Sequence, residues 1–129
     1  MIAVRIPHAA PVHCLADCAE IITDGIMVRA TVRADSPGAL DGVVRPGWLI
    51  EVAAQACAAA GAVDPAGGVS SGMLVSVKEW QWYQPVLVEC EMEVQVVRGA
   101  ALGSMVEYRC RLDRDDQCVA EGILVVMRR

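Results

Sequence analysis

Between Trp48 and Val63 the chain is rich in alanine and shows no polar face, and the run Asp64-Pro65-Ala66-Gly67-Gly68 ends it. Pro46-Gly47 precedes it, so the segment reads as a helix with a defined start and stop. A helix that is apolar all round has to be surrounded by protein. Its most apolar part, Val52 to Val63, carries Gln55 and falls well short of the ~20 residues that cross a bilayer. The rest of the chain is therefore expected to wrap this helix, and the small alanine side chains let a sheet approach it closely.

The remaining sequence supplies strands. Met73 to Trp82, Val86 to Val97, Leu102 to Leu112 and Cys118 to Met127 each read as one, with Arg98-Gly99 and Asp113-Arg114-Asp115-Asp116 as turns. Glu89, Glu91, Glu93 and Gln95 occupy alternate positions, which sets one face in solvent and the other on the core. Ahead of the helix, Cys14 to Thr23 and Ile26 to Ala34 form a hairpin across Asp24-Gly25. Asp35 to Arg45, broken by Ser36-Pro37-Gly38 and Asp41-Gly42, reads as a loop. One hairpin, one buried helix and a long antiparallel meander make an α+β layer arrangement, expected as a single domain over residues 1–129.

Hydrophobic residues are 55% of the chain and charged ones 21%, which excludes intrinsic disorder and leaves little polar surface for a monomer. A homodimer or higher homo-oligomer is expected. Eleven basic against sixteen acidic residues give a net charge of −5, which argues against a nucleic-acid partner or an anionic membrane surface. Met1 to Pro7 lacks the pattern of a secretory signal, and the six cysteines are scattered singly through apolar segments. Both features fit a cytoplasmic chain whose reduced thiols fill the core. With no Cys-x-x-Cys and only His8 and His13, there is no ligand set for structural zinc, and no metal or redox cofactor is expected.

Several strings, in order, resemble the hotdog-fold 3-hydroxyacyl-(acyl carrier protein) dehydratases, nearest to the aryl-polyene-associated type. Ile6-Pro7-His8-Ala9-Ala10-Pro11 resembles the family's opening Leu-Pro-His-x-x-Pro, with Glu20-Ile21 at the expected distance. Val44 to Ala56 resembles the start of its central helix: Pro-Gly, a short apolar stretch, then Glu-x-x-Ala-Gln. Lys78, Pro85-Val86, Glu91 to Gly99 and Cys118 to Gly122 resemble its later strands. The resemblance implies a hotdog fold, an antiparallel sheet wrapped around one long central helix. It also implies a lyase acting on acyl chains carried on acyl carrier protein or coenzyme A, in fatty-acid or polyene lipid synthesis, with an active site shared between two protomers. One departure stands out. The family's catalytic histidine lies in Gly-His-Phe-Pro-Gly, whereas here Ala34-Asp35-Ser36-Pro37-Gly38 puts Asp35 in its place.

Dehydrating a 3-hydroxyacyl thioester takes a base for the α-proton and an acid for the departing hydroxyl. Glu51 is the candidate, since an ionised carboxylate in an apolar helix costs several kcal/mol unless it is paired or faces a cavity. Gln55, one turn later, is placed to orient Glu51 or to hydrogen-bond across a dimer. Backbone N–H groups at Gly47 and Trp48 lie at the helix start, where donors polarise a carbonyl, and the Trp48 ring either lines the acyl pocket or fills the core. His8 belongs to the opening motif, His13 has no motif match, and Arg45 at the helix entrance faces either carrier or solvent. Two other functions stay open: a thioesterase working through Glu51 alone, and a catalytically silent acyl-binding or heterodimer partner.

Overall fold

The structure, a computed structural model, describes residues 1–6, 12–63 and 72–128. The alanine-rich segment is the helix α1 (Trp48–Ala62), within a residue of the bounds expected for it. Around it the chain forms strands β1 (Ile2–Ala3), β2 (Leu15–Ile22), β3 (Gly25–Thr31), β4 (Ala39–Leu40) and β5 (Val43–Val44) before the helix. After it come β6 (Gly72–Trp82), β7 (Glu91–Leu102), β8 (Met105–Arg114) and β9 (Gln117–Arg128). Seven of these make one antiparallel sheet in the order β1-β2-β3-β7-β8-β9-β6, and β4 pairs with β5 separately.

Alternation along the strands divides the sheet's faces as expected. Val28, Val94, Leu112 and Ala120 lie opposite one another in neighbouring strands and are all buried. The same row ends on β6 at Trp82, which is 49% exposed. The main contacts of α1 with the sheet are made by β2, β3, β7 and β8. Outward-facing positions carry charge, with Arg29 beside Glu91 and Lys78 beside Glu107.

The helix is not enclosed on all sides. Leu49, Val52, Ala53, Ala56, Cys57, Ala59 and Ala60 are buried, but Ile50, Ala54, Ala58 and Gly61 form a half-buried stripe. A single sheet covers one side of a helix, so the expected closure along Ala53 to Ala60 holds on the sheet side only.

Three local expectations are corrected. β7 runs past Arg98-Gly99, with an irregularity there, and turns at Gly103, where φ is +59°. The strand expected from Val86 begins at Glu91, because 86–90 is taken up by bonds to distant backbone. Val44 N–H donates to Val86 C=O at 2.8 Å, Val88 N–H to Gly42 C=O at 3.0 Å, and Glu89 N–H to Val32 C=O at 2.8 Å. The loop before the helix contains the β4-β5 hairpin, closed by Asp41 and Gly42 in the left-handed region. Of the turn expected over Asp113 to Asp116, Asp115 and Asp116 form it, both with positive φ, while β8 runs on through Asp113 and Arg114.

Among the described residues no helix is long and apolar enough to cross a membrane. Ala56, with no exposed surface on the sheet side of α1, leaves no space for a longer side chain. Ala56→Leu is expected to destabilise the fold by about 1–3 kcal/mol through overpacking, read by urea denaturation.

Candidate active site

Gln55 is a carboxamide with no exposed surface in an otherwise apolar helix, and such a group costs stability unless its polar atoms are bonded. Its Oε1 accepts the Cys14 N–H at 2.9 Å, and its Nε2 donates to the Val12 carbonyl at 2.7 Å. The same Nε2 donates to Glu51 Oε1 at 3.2 Å. Both N–H bonds of the amide are thus used within the chain. Gln55 holds the segment before β2 against α1 and fixes the carboxylate one turn earlier, leaving no donor for a bond across a dimer.

Glu51 is half-buried at the beginning of α1, on the side where that segment docks. Trp48 opens the helix, its indole lying flat on the backbone of Gly38, where a Cβ would run into the ring. The ring nitrogen of Trp48 is buried without a hydrogen-bond partner among the described residues. Burial pushes the Cys14 thiol up; the Trp48 N–H works against this and the negative Glu51 adds to it. Cys14 therefore stays protonated, its Sγ donating to the Val12 carbonyl at 3.2 Å.

The helix start carries no side-chain cap. Trp48, Leu49 and Ile50 N–H donate to the carbonyls of Arg45, Pro46 and Gly47 at 2.9, 3.1 and 3.2 Å, which takes up the first donors of α1. Of the two N–H groups expected to meet a carbonyl, that of Trp48 is engaged in this turn. That of Gly47 makes no bond among the described residues, and a Cβ on Gly47 would meet nothing within 4 Å. Across the entrance, Trp82 Nε1 donates to the Pro46 carbonyl at 2.8 Å and ties β6 to the helix start.

The structure thus brings Glu51, Gln55 and Trp48 together, with Gly47 at the rim. Asp35 stands apart in solvent, paired with Arg33 at 3.0 Å, and Arg45 is exposed. His13 is half-buried between the two residues that Gln55 holds. His8 and most of the opening motif lie outside the described residues. Cys14 was not expected at the site. The available signal was Gln55 itself, which has to find partners, although its sequence position does not say which.

A curled antiparallel sheet holding one central helix is the hotdog architecture, and solved structures agree. The chain is similar to the dehydratase heterocomplex ApeI:P from Xenorhabdus doucetiae, at 21% identity and a TM-score of 0.77 over 96% of this chain and 88% of that one. It is similar to a mutant of the phenylacetic acid degradation protein PaaI from Thermus thermophilus, at 20% and 0.67 over 87% and 92%. A hypothetical thioesterase with coenzyme A from Streptococcus pneumoniae matches at 11% and 0.68 over 87% and 84%. Compared by sequence with curated proteins, the chain finds no match. The ApeP-like family model, described as ApeP dehydratase, matches residues 1–129, and the chain belongs to that family.

Replacing Gln55 by Leu keeps the volume, strands the Cys14 N–H and leaves the Val12 carbonyl only the weak Cys14 Sγ donor. Gln55→Leu is expected to lose about 2–4 kcal/mol of stability, measured by chemical denaturation, since a stranded buried group costs about 1–3 kcal/mol and a weakly bonded one adds to it.

Proposed function

We propose that this protein is a dimeric acyl-thioester enzyme of the cytoplasm that dehydrates 3-hydroxyacyl chains on acyl carrier protein or coenzyme A. Glu51 moves the proton, and Gly47 N–H polarises the thioester carbonyl. The observation that carries the reading is the Glu51 carboxylate, oriented by a buried amide at the open start of the helix. Removing an α-proton is favoured when the carbonyl's growing negative charge meets a donor, and a fixed backbone N–H needs no reorganisation to supply one. Membership of the dehydratase family supports the same reaction.

Assembly as a dimer is supported by the surface left open. Met73, Leu74, Val75 and Val77 are exposed on β6, which is the last strand of the sheet. The half-buried stripe of α1 is likewise apolar. A second copy, or a homologous chain such as the pairing named for the ApeI:P heterocomplex, would cover both. Sedimentation is expected to give a dimer at micromolar concentration; monomer alone would remove a site shared between protomers.

A second reading is favoured by Asp35, which stands in solvent where the family has its histidine. A carboxylate working without a histidine partner suits thioester hydrolysis. Turnover separates the two. The wild type is expected to form enoyl product from a 3-hydroxyacyl thioester without releasing thiol, and Glu51→Gln to lower that rate by about 10²–10⁴ while keeping the fold. Thiol release from saturated acyl thioesters, abolished by Glu51→Gln, identifies the hydrolase instead. Neither reaction, with melting raised by the thioester, identifies a silent binding partner.

A further inference from the structure

Away from Glu51, two thiols meet where the helix crosses the sheet. Cys57 projects from the middle of α1. Cys110 sits in a buried row of the sheet, opposite Val96 on β7 and Gly122 on β9. The two sulfurs are 3.7 Å apart, and the residues are only 2% and 3% exposed. One helical turn further on, Gly61 lies beside the Tyr108 hydroxyl, which a Cβ there would meet at an ordinary contact distance of 3.6 Å. Small side chains thus bring α1 close to β8, and the thiols face each other directly. Among the described residues this is the one cysteine pair in hydrogen-bond contact, although six cysteines are present.

We propose that Cys57 and Cys110 are a latent redox staple, converted by a two-electron oxidant of the disulfide or azo class into a disulfide that fixes α1 to β8. The S–S bond forms as both S–H bonds break, and two protons and two electrons pass to the oxidant. A small disulfide leaves as two thiols; diamide leaves as its hydrazine. Closing 3.7 Å to the ~2.05 Å of a disulfide takes a side-chain rotation or a small slide of α1.

The resting state is the dithiol. Burial, and then the contact with Cys110, push the Cys57 thiol well above its usual range, which suppresses the attacking thiolate. Oxidation therefore proceeds through transient opening of the contact between α1 and β8, and quickens when that contact loosens. Once formed, the bond joins positions 53 apart in sequence and restricts the unfolded chain. The staple acts on the fold and does not rest on the reading of Glu51.

The test treats the whole native chain with diamide, then alkylates the remaining thiols in denaturant and maps the peptides by mass spectrometry. The expected result is a linked Cys57–Cys110 peptide and a melting temperature roughly 5–15 °C above that of the reduced protein. Cys57→Ala is expected to lose both effects, and Cys110→Ala does the same duty if the first variant fails to fold. Cys18→Ser, which removes an exposed thiol, is expected to retain both. Recovery of Cys57 and Cys110 as alkylated residues after Cys18 has been oxidised overturns the proposal. So does a linked protein that melts no higher than the reduced one.

Discussion

One buried carboxamide organises the centre of this molecule. A helix as apolar as α1 is driven into the sheet by burial alone, yet Gln55 takes its polar amide in with it. The amide is bonded only if the chain before β2 lies along the helix and Glu51 turns toward the same group. Seating the helix, anchoring the segment 12–14 and orienting the carboxylate are therefore one event. The requirement is strict because a low-dielectric interior penalises any unmet donor or acceptor more than water would. The charges on the outward face of the sheet contribute little by comparison. Arg29 with Glu91 and Lys78 with Glu107 are in contact but solvated, and such pairs are worth about 0–1 kcal/mol.

How far the structure was legible in the sequence depended on the range of the forces involved. α1 was legible almost to the residue, since its signals are local: Pro46-Gly47 before it, alanines through it, Asp64-Pro65 after it. The hairpin turns at Asp24 and Asp115-Asp116 were legible for the same reason. Val86 to Cys90 was misread as strand because its pattern is apolar and its true partners, at Val32, Gly42 and Val44, are more than forty positions away. Arg98-Gly99 looked like a turn, but the pairing of β7 with β8 carries the strand past it to Gly103.

The site divided along the same line. Glu51 and Gln55 stood out because polar residues in an apolar helix are conspicuous, and their mutual bond follows from helical spacing. Cys14 did not stand out, since a cysteine in an apolar run looks like any other core residue. Its closeness to Trp48 and Glu51 is a tertiary fact created by the Gln55 clamp. The commitment of the Trp48 N–H to Arg45 was equally hidden, because it depends on how tightly the chain turns into the helix.

The contact between Gly38 and Trp48 reaches beyond this one chain. The indole occupies the volume that any side chain at position 38 would claim, so the two positions share a single space. Substitution at one is constrained by the residue at the other. Related chains that keep a tryptophan at the start of the helix are expected to keep glycine in the preceding loop, whereas those with a smaller residue at the helix start are free to enlarge the loop position. The pair thus records, as linked variation at two sites ten residues apart in sequence, a packing choice made once at the mouth of the helix.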